Sequence, residues 1–258
     1  MKLIDTHAHL SFDGLAENVG DVISRAKEAG VSGCITVGTT PGEFEQVLGI
    51  AENNDGVWAA MGIHPHYAKD VSAGDIERLK EIAKSGRIVA VGETGLDFHY
   101  NFSKQDSQVE LFVKHLEIAA ETGLPVIVHC RNAFEQTLDV LNDFDGKLSK
   151  IVFHCFSGDK KQTETLLERG YYISFTGIVT FKSAELARVA AKIVPTGRMM
   201  LETDCPYMSP TPMRKQKINE PALMVHTAKF IAELKEMDCE KFCDEVLETS
   251  LKFFNLAK

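Results

Sequence analysis

The chain has 258 residues, and its 37 Asp and Glu residues outnumber its 28 Lys and Arg residues, giving a formal net charge of −9. Apolar residues make up 44% and charged residues 25%, as in an ordinary globular protein, and no apolar run is long enough to span a membrane. The charge argues against a broad basic surface for nucleic acid. Because the first residues do not form a secretory signal, we expect a cytoplasmic protein without membrane contact.

Eight short runs rich in β-branched residues predict strands. In chain order they are Lys2–Thr6, Gly33–Val37, Val57–Ile63, Ile88–Gly92, Pro125–Val128, Ile151–Phe153, Tyr171–Phe175 and Arg198–Leu201. Most are continuously apolar, which is typical of parallel strands covered on both faces.

The stretches between these runs have helical signals. Thr40-Pro41-Gly42-Glu43 is a capping box with proline at the first helical position. Ser103 is predicted to start a longer helix, which Gly123 ends. The tail from about Glu220 to Leu256 is predicted to be wholly helical.

This alternation predicts an α/β fold, a single (β/α)₈ TIM barrel with C-terminal helices. Residues 1–258 are expected to form one barrel domain, and a monomer is favoured. A doubly wound open sheet remains the alternative, because periodicity does not prove that the sheet closes.

Most of the nine histidines fall at or just beyond predicted strand ends, which in a barrel form the face that holds the active site. In His7-Ala8-His9, two side chains on an extended segment point the same way. His129 and His154 each close an apolar run. An acid at the mouth of such a strand is expected to be paired with a cation or bound to a metal. The candidate metal ligands are therefore His7, His9, Glu93, His129, His154 and Asp204.

Four histidines and two carboxylates can hold two divalent metal ions, with Glu93 able to bridge them. This ligand set suits Zn²⁺, Mn²⁺, Fe²⁺ or Co²⁺ better than Mg²⁺, without excluding Mg²⁺. Such ions lower the pKa of bound water from 15.7 to about 7, which predicts hydrolysis. Asp204 could be both a ligand and the general base. The bond that is cleaved stays open at this point.

Polar and cationic side chains follow the same strand ends. His64 is expected to be functional, in catalysis or in substrate binding. Donors suited to a phosphate are found at His66, Arg131, Ser157 and Arg214, and these are the predicted substrate contacts.

Taken together, these residues closely resemble the TatD-type metal-dependent deoxyribonucleases, within the amidohydrolase-like barrels. The matching motifs are Asp5-Thr6-His7-Ala8-His9-Leu10, Gly62-Ile63-His64-Pro65-His66, Gly92-Glu93-Thr94-Gly95-Leu96-Asp97, Pro125-Val126-Ile127-Val128-His129-Cys130-Arg131, His154-Cys155-Phe156-Ser157-Gly158, Leu201-Glu202-Thr203-Asp204-Cys205-Pro206-Tyr207 and Asn219-Glu220-Pro221. The resemblance implies a barrel in which the six ligands hold two divalent ions. It also implies hydrolysis of DNA phosphodiester bonds, starting from an end. The catalytic residues that we predict are Asp204, Glu93 and His64.

Two other functions compete with this one. The same metal-activated water would serve an ester or amide hydrolase such as an aminoacyl-tRNA deacylase. A scaffold with a decayed site is the non-enzymatic alternative, and the presence of all six ligands argues against it. In a nuclease, two ions would give the site a local charge of about +1 after the two carboxylates and a hydroxide are counted. A shallow salt dependence of DNA binding is then expected.

Overall fold

The computed structural model describes residues 2–100 and 102–256. Its strands are β1 (Leu3–Ala8), β2 (Val31–Gly38), β3 (Val57–Met61), β4 (Ala90–Asp97), β5 (Val126–Arg131), β6 (Ile151–Phe153), β7 (Tyr172–Phe175) and β8 (Met199–Leu201). Its α-helices are α1 (Val19–Ala29), α2 (Phe44–Glu52), α3 (Ala73–Lys84), α4 (Gln105–Thr122), α5 (Phe134–Asn142), α6 (Lys160–Glu168), α7 (Glu185–Ile193), α8 (Met224–Leu234) and α9 (Cys239–Phe254). Short 3-10 helices include Pro41–Glu43 and Pro65–Asp70.

All eight strands belong to one sheet, in the order β1 to β8. A bridge between Ala8 and Cys205 joins the end of β1 to the segment after β8. A doubly wound sheet would instead reverse its strand order at a switch point. The prediction of a (β/α)₈ barrel with C-terminal helices is therefore confirmed, and the open sheet is not.

Contacts divide the chain into two compact units. The first comprises Met1–Thr36, Ile50–Trp58 and Cys155–Lys258, and the second comprises Val37–Gly49 and Ala59–His154. Within the first unit β1 pairs with β2 and β7 pairs with β8, whereas within the second β4 pairs with β3 and β5, and β5 with β6. Each of these pairings is parallel. The single-domain assignment stays a prediction.

Helix starts follow the local capping chemistry. The carboxylate of Glu43 accepts hydrogen bonds from the backbone N–H groups of Thr39 and Thr40, at 2.6 Å each, as the predicted capping box requires. The predicted start at Ser103 is wrong by one residue, because Lys104 is the N-cap of α4. The Ser103 hydroxyl donates to the carbonyl oxygen of His66 (2.7 Å) instead.

The predicted helical tail contains one break. A 3-10 turn over Pro221–Leu223 leads into α8, and α9 begins after Asp238, whose side chain accepts a hydrogen bond from the backbone N–H of Lys241. The ammonium group of Lys235 lies in the break and donates to the carbonyl oxygens of Ala191, Lys192 and Val194 at the end of α7. Among the residues that the structure describes, no helix combines the length and apolarity needed to cross a membrane.

Helix α4 contributes a buried histidine to the second unit. His115 is fully buried, its Nε2 accepts a hydrogen bond from the backbone N–H of Ile63 (2.8 Å), and its Nδ1 lies 2.8 Å from the carbonyl oxygen of Leu111. Burial lowers the pKa of His115 from 6.5 to about 4, against the opposing effect of the Leu111 hydrogen bond. His115 is therefore neutral in the folded chain at neutral pH.

We expect this histidine to destabilise the protein in mild acid. The unfolded chain binds a proton at His115 below pH 6.5 and the folded chain only near pH 4. The free energy of unfolding therefore has its full value above pH 6.5 and falls by about 3 kcal/mol as the pH approaches 4. Chemical denaturation at several pH values measures this loss, and His115→Gln should show a flatter profile. Equal pH slopes for the variant and the parent protein would contradict the prediction.

Candidate metal centre

The first ligand cluster lies in the first unit, where β1 meets the segment after β8. The Nε2 atom of His9 is 3.3 Å from Nε2 of His7 and 3.2 Å from Oδ1 of Asp204. One ligand atom from each residue can be chosen so that all three lie within 4.8 Å of one another. His7 is fully buried and Asp204 nearly so. Two imidazoles and a carboxylate in this arrangement can hold a divalent ion.

Backbone hydrogen bonds fix the positions of these ligands. The N–H of Asp204 donates to the carbonyl oxygen of His7, and the N–H of His9 donates to that of Cys205, both at 2.9 Å. The buried carboxylate of Asp5 accepts from the backbone N–H of Thr203 (2.9 Å) and from its hydroxyl (2.5 Å). Burial raises the pKa of Asp5 to about 7, although the Thr203 hydrogen bonds oppose the rise. Asp5 thus ties β1 to the residue that precedes Asp204.

The second ligand cluster lies in the second unit and centres on one carboxylate oxygen. Oε1 of Glu93 is 2.7 Å from Nδ1 of His129, 2.8 Å from Nε2 of His154 and 3.5 Å from Nε2 of His64. Glu93 lies inside β4, His129 inside β5, and His154 directly after β6. The geometry therefore places His64, predicted as a catalytic or substrate residue, among the groups able to hold a metal.

Two glycines allow Glu93 to reach this position. Gly92 (φ +145°) and Gly95 (φ +139°) have backbone conformations that L side chains rarely adopt. A Cβ at Gly92 would lie 2.6 Å from the carbonyl oxygen of Ile127, and one at Gly95 would collide with that of His129. The glycines therefore permit the close approach of β4 to β5 on both sides of Glu93.

The charges in this cluster depend on one another. Burial opposes ionisation of Glu93, but the charge of His154 and His64 when they are protonated, and the hydrogen bonds with His129 and His154, outweigh it, so the pKa of Glu93 lies well below its usual range. Burial lowers the pKa of His64 far below that of a free histidine. Burial also acts to lower the pKa of His129, but its contacts with Asp97 and Glu93 prevail and raise it.

Asp97 is a supporting residue that was not predicted from the sequence. Its Oδ2 lies 2.9 Å from Nε2 of His66 and 3.1 Å from Nε2 of His129. Its Oδ1 accepts from the backbone N–H groups of His99 and Tyr100. The only signal in the sequence was its place in the Gly95-Leu96-Asp97 motif, because its histidine partners come from other segments.

His129 therefore lies between two carboxylates, with Nε2 facing Asp97 and Nδ1 facing Glu93. A neutral imidazole has one N–H, so only one of these contacts can be a hydrogen bond unless a cation or a second proton is present. A carboxylate that orients the far nitrogen of a ligating histidine is the usual support of a metal site. Nitrogen and oxygen donors of this kind fit a divalent transition-metal ion.

The predicted substrate residues are divided between the two units. His66 is partly buried beside Asp97, and the guanidinium of the exposed Arg131 lies 4.9 Å from the ring centre of Tyr100, both in the second unit. In the first unit Ser157 is exposed, and the guanidinium of Arg214 lies 3.6 Å from the ring centre of Phe181.

Known proteins resemble the chain along nearly its whole length. The model of the family described as TatD related DNase matches residues 4–255. The chain belongs to the TatD-related DNase family.

Similar proteins and a solved structure support this family assignment. An uncharacterized metal-dependent hydrolase, YabD, from Bacillus subtilis is 35% identical over 98% of this chain and 99% of its own. A protein of Erwinia tasmaniensis named 3'-5' ssDNA/RNA exonuclease TatD is 35% identical over 98% of this chain and all of its own length (100%). The crystal structure of the TatD homologue YJJV from Escherichia coli superposes with a TM-score of 0.93 at 30% identity, covering 99% of this chain and 98% of that one.

The predicted metal-dependent hydrolase of the TatD family is thus confirmed, and the ester hydrolase alternative is not favoured. The identity and number of the ions, and the role of each site residue, stay predictions.

Removing the support of His129 should weaken metal binding by the second cluster. Asp97→Asn keeps the size of the side chain but replaces the acceptor beside His129 Nε2 with an amide. We expect the affinity for Zn²⁺ or Mn²⁺ to fall about 10- to 100-fold, as is usual for such supporting carboxylates. Competition with a chromophoric chelator measures the change, with the exposed Asp106→Asn as the matched control. Unchanged affinity in Asp97→Asn would exclude this role.

Proposed function

We propose that this TatD-family hydrolase cleaves phosphodiester bonds of single-stranded DNA from the 3' end, with two divalent metal ions. The main support is the second cluster, where three imidazoles surround a single oxygen of Glu93 within 3.5 Å. The relative named 3'-5' ssDNA/RNA exonuclease, at 35% identity over 98% of the chain, supports the choice of bond, strand and end.

In this proposal each cluster would hold one ion. His7, His9 and Asp204 would hold the first, and Glu93, His129 and His154 would hold the second. When bound, a divalent ion would supply a water nucleophile at neutral pH and stabilise the charge that develops on the phosphate and the leaving oxygen. Zn²⁺, Mn²⁺ and Mg²⁺ are the candidates, and Zn²⁺ and Mn²⁺ suit the imidazoles better.

The protein side chains have separate tasks. Asp204, the acidic group of the first cluster, is proposed to accept a proton from the attacking water. His64 is neutral at pH 7 because burial lowers its pKa. It can therefore donate one hydrogen bond to the reacting phosphate beside Glu93. His66, Arg131, Ser157 and Arg214 are proposed to bind the phosphates and sugars near the cleaved bond. The cytoplasmic location and the monomeric state of the enzyme stay predictions.

Metal-reloaded protein tests this function. Protein stripped with a chelator is loaded in turn with Mg²⁺, Mn²⁺ or Zn²⁺ and incubated with a single-stranded oligonucleotide labelled at its 5' end. The same strand in a duplex and an aminoacyl ester at matched enzyme concentration complete the set. We expect stepwise shortening of the single strand from its 3' end with at least one metal, and little turnover of the ester. Intact DNA with all three metals, together with rapid ester cleavage, would overturn the proposal.

A further inference from the structure

Two large aromatic side chains lie exposed beside the second ligand cluster. Tyr100 is 40% and Phe102 is 55% exposed. Their rings are stacked, with centroids 5.2 Å apart and planes inclined by 16°. Exposed aromatic rings that stack on each other leave planar apolar surface in contact with water, which folding alone does not favour. We call Tyr100 and Phe102 the aromatic platform.

The aromatic platform is connected to the candidate metal centre by direct contacts. The ring of His66 meets Phe102 edge-on at 4.8 Å and Tyr100 at 5.5 Å. His66 in turn contacts Oδ2 of Asp97, which also lies 3.1 Å from Nε2 of His129. A group bound on the platform is therefore one or two side chains away from the proposed ligands.

The platform also has a fixed positive charge. The guanidinium carbon of Arg131 lies 4.9 Å from the ring centre of Tyr100, and Arg131 is exposed. This contact orients the guanidinium and leaves its N–H groups able to bind an anion. A planar apolar surface with an arginine at its side matches a nucleotide, which carries a planar base and a phosphate.

We propose that the aromatic platform stacks an unpaired base of the nucleic acid substrate, while Arg131 contacts the adjoining phosphate. The inference rests on the proposed nuclease function and adds a reason for the choice of strand. A base in a duplex is already stacked on both faces, whereas a base in a single strand is free to stack on Phe102. Stacking is tolerant of sequence and acts without net charge, so it supplies affinity that a chain of net charge −9 cannot obtain from a basic surface.

Substrates with and without bases test the platform. The wild-type enzyme, loaded with its active metal, is compared on a single-stranded oligonucleotide and on the same strand with abasic residues at its 3' end. The variants are Tyr100→Ala, Phe102→Ala, Phe102→Leu and Phe102→Trp, with Leu186→Ala as a control at an exposed apolar residue of α7.

We expect Phe102→Ala to raise KM for the normal strand about 5- to 150-fold, the range for losing one base–aromatic stack, with a smaller change in kcat. For the abasic strand, the KM of Phe102→Ala should stay near the KM of the wild type for that same strand. Phe102→Trp should retain the preference for bases, and Phe102→Leu should lose it because leucine has bulk but no ring. Leu186→Ala should match the wild type on both substrates.

Binding without catalysis gives a second readout. An oligonucleotide with 2-aminopurine near its 3' end is added to metal-free protein in a chelator. Stacking on the platform should quench its fluorescence in the wild type and in Phe102→Trp, and less in Phe102→Ala. The same probe in a duplex should show no protein-dependent quenching.

The outcomes separate this inference from the proposed function. If the wild type cleaves neither strand with any metal, the nuclease proposal itself fails. If it cleaves the normal strand and the Ala variants keep its full preference for bases and its quenching, the platform has no role in binding bases. A change from dimer to monomer in Phe102→Ala on size-exclusion chromatography, with unchanged KM, would assign the platform to self-association and overturn the inference.

Discussion

Replacement of Asp204 by alanine is expected to lower kcat/KM for DNA by about 10³-fold or more. Its carboxylate is the acidic group of the first cluster, 3.2 Å from Nε2 of His9, and it is the proposed proton acceptor. Loss of a general base alone costs about 10²- to 10⁴-fold. The first cluster would retain two imidazoles, so we also expect one fewer bound ion per chain. Steady-state cleavage of a single-stranded oligonucleotide and metal analysis by mass spectrometry measure the two effects.

The fold should survive this substitution. The backbone N–H of Asp204 donates to the carbonyl oxygen of His7, a hydrogen bond that alanine keeps, and Asp5 holds Thr203 independently. Circular dichroism should be unchanged, and Asp204→Asn should be nearly as inactive as Asp204→Ala because the charge is what the reaction requires. The exposed Asp55→Ala serves as the matched control and should remain fully active. An Asp204→Ala protein with wild-type kinetics would remove Asp204 from the mechanism.

Glu93→Gln is expected to have an effect of similar size through the second cluster. The substitution preserves shape but replaces the charged oxygen that three imidazoles surround. An amide is a poor ligand for a divalent transition metal, so the second ion should be lost and hydrolysis should fall by about 10³-fold. Metal content and single-turnover cleavage measure this loss.

A change in histidine titration should accompany the loss of metal. Without the negative charge of Glu93, the pKa of His129 should fall in the metal-free protein, since contacts with Asp97 and Glu93 are what raise it. Nuclear magnetic resonance of the imidazole protons follows this shift directly. The exposed Glu117→Gln on α4 is the control, and it should change neither metal content nor titration. Retention of both ions in Glu93→Gln would show that the glutamate is not a ligand.

The alternation of apolar strands and helices was sufficient to predict the barrel, but the strand boundaries depended on polar residues. The predicted fourth strand ended at Gly92 because the apolar run ended there. In the structure β4 continues to Asp97, and Glu93, Thr94 and Asp97 within it are all buried. Hydrophobic patterning counts a buried polar side chain as a strand end, whereas here its partners compensate the cost of burial.

The metal ligands could be predicted because each is visible on its own along the chain. The residues that support them could not, because their importance depends on partners from other segments. Histidines and acids after apolar runs stand out along the chain, as at His129 and Asp204. The importance of Asp97 depends on His66 and His129, which come from other elements, and a single sequence carries no record of such pairs. His64 was recognised as functional, but its closeness to Glu93 depends on how β3 and β4 lie in the folded second unit.

The two clusters differ in how far apart their residues lie along the chain. The second is complete once residue 154 has been synthesised, with partners such as Glu93 and His129 only 36 positions apart. The first needs the last strand, because Asp5 and Thr203, which hold its two sides together, are 198 positions apart. Closing the longer loop costs about 1.5 kcal/mol more in chain entropy. During synthesis on the ribosome, all ligands of the second cluster are therefore present before Asp204 has been added, so the second cluster can form before the first but not the reverse.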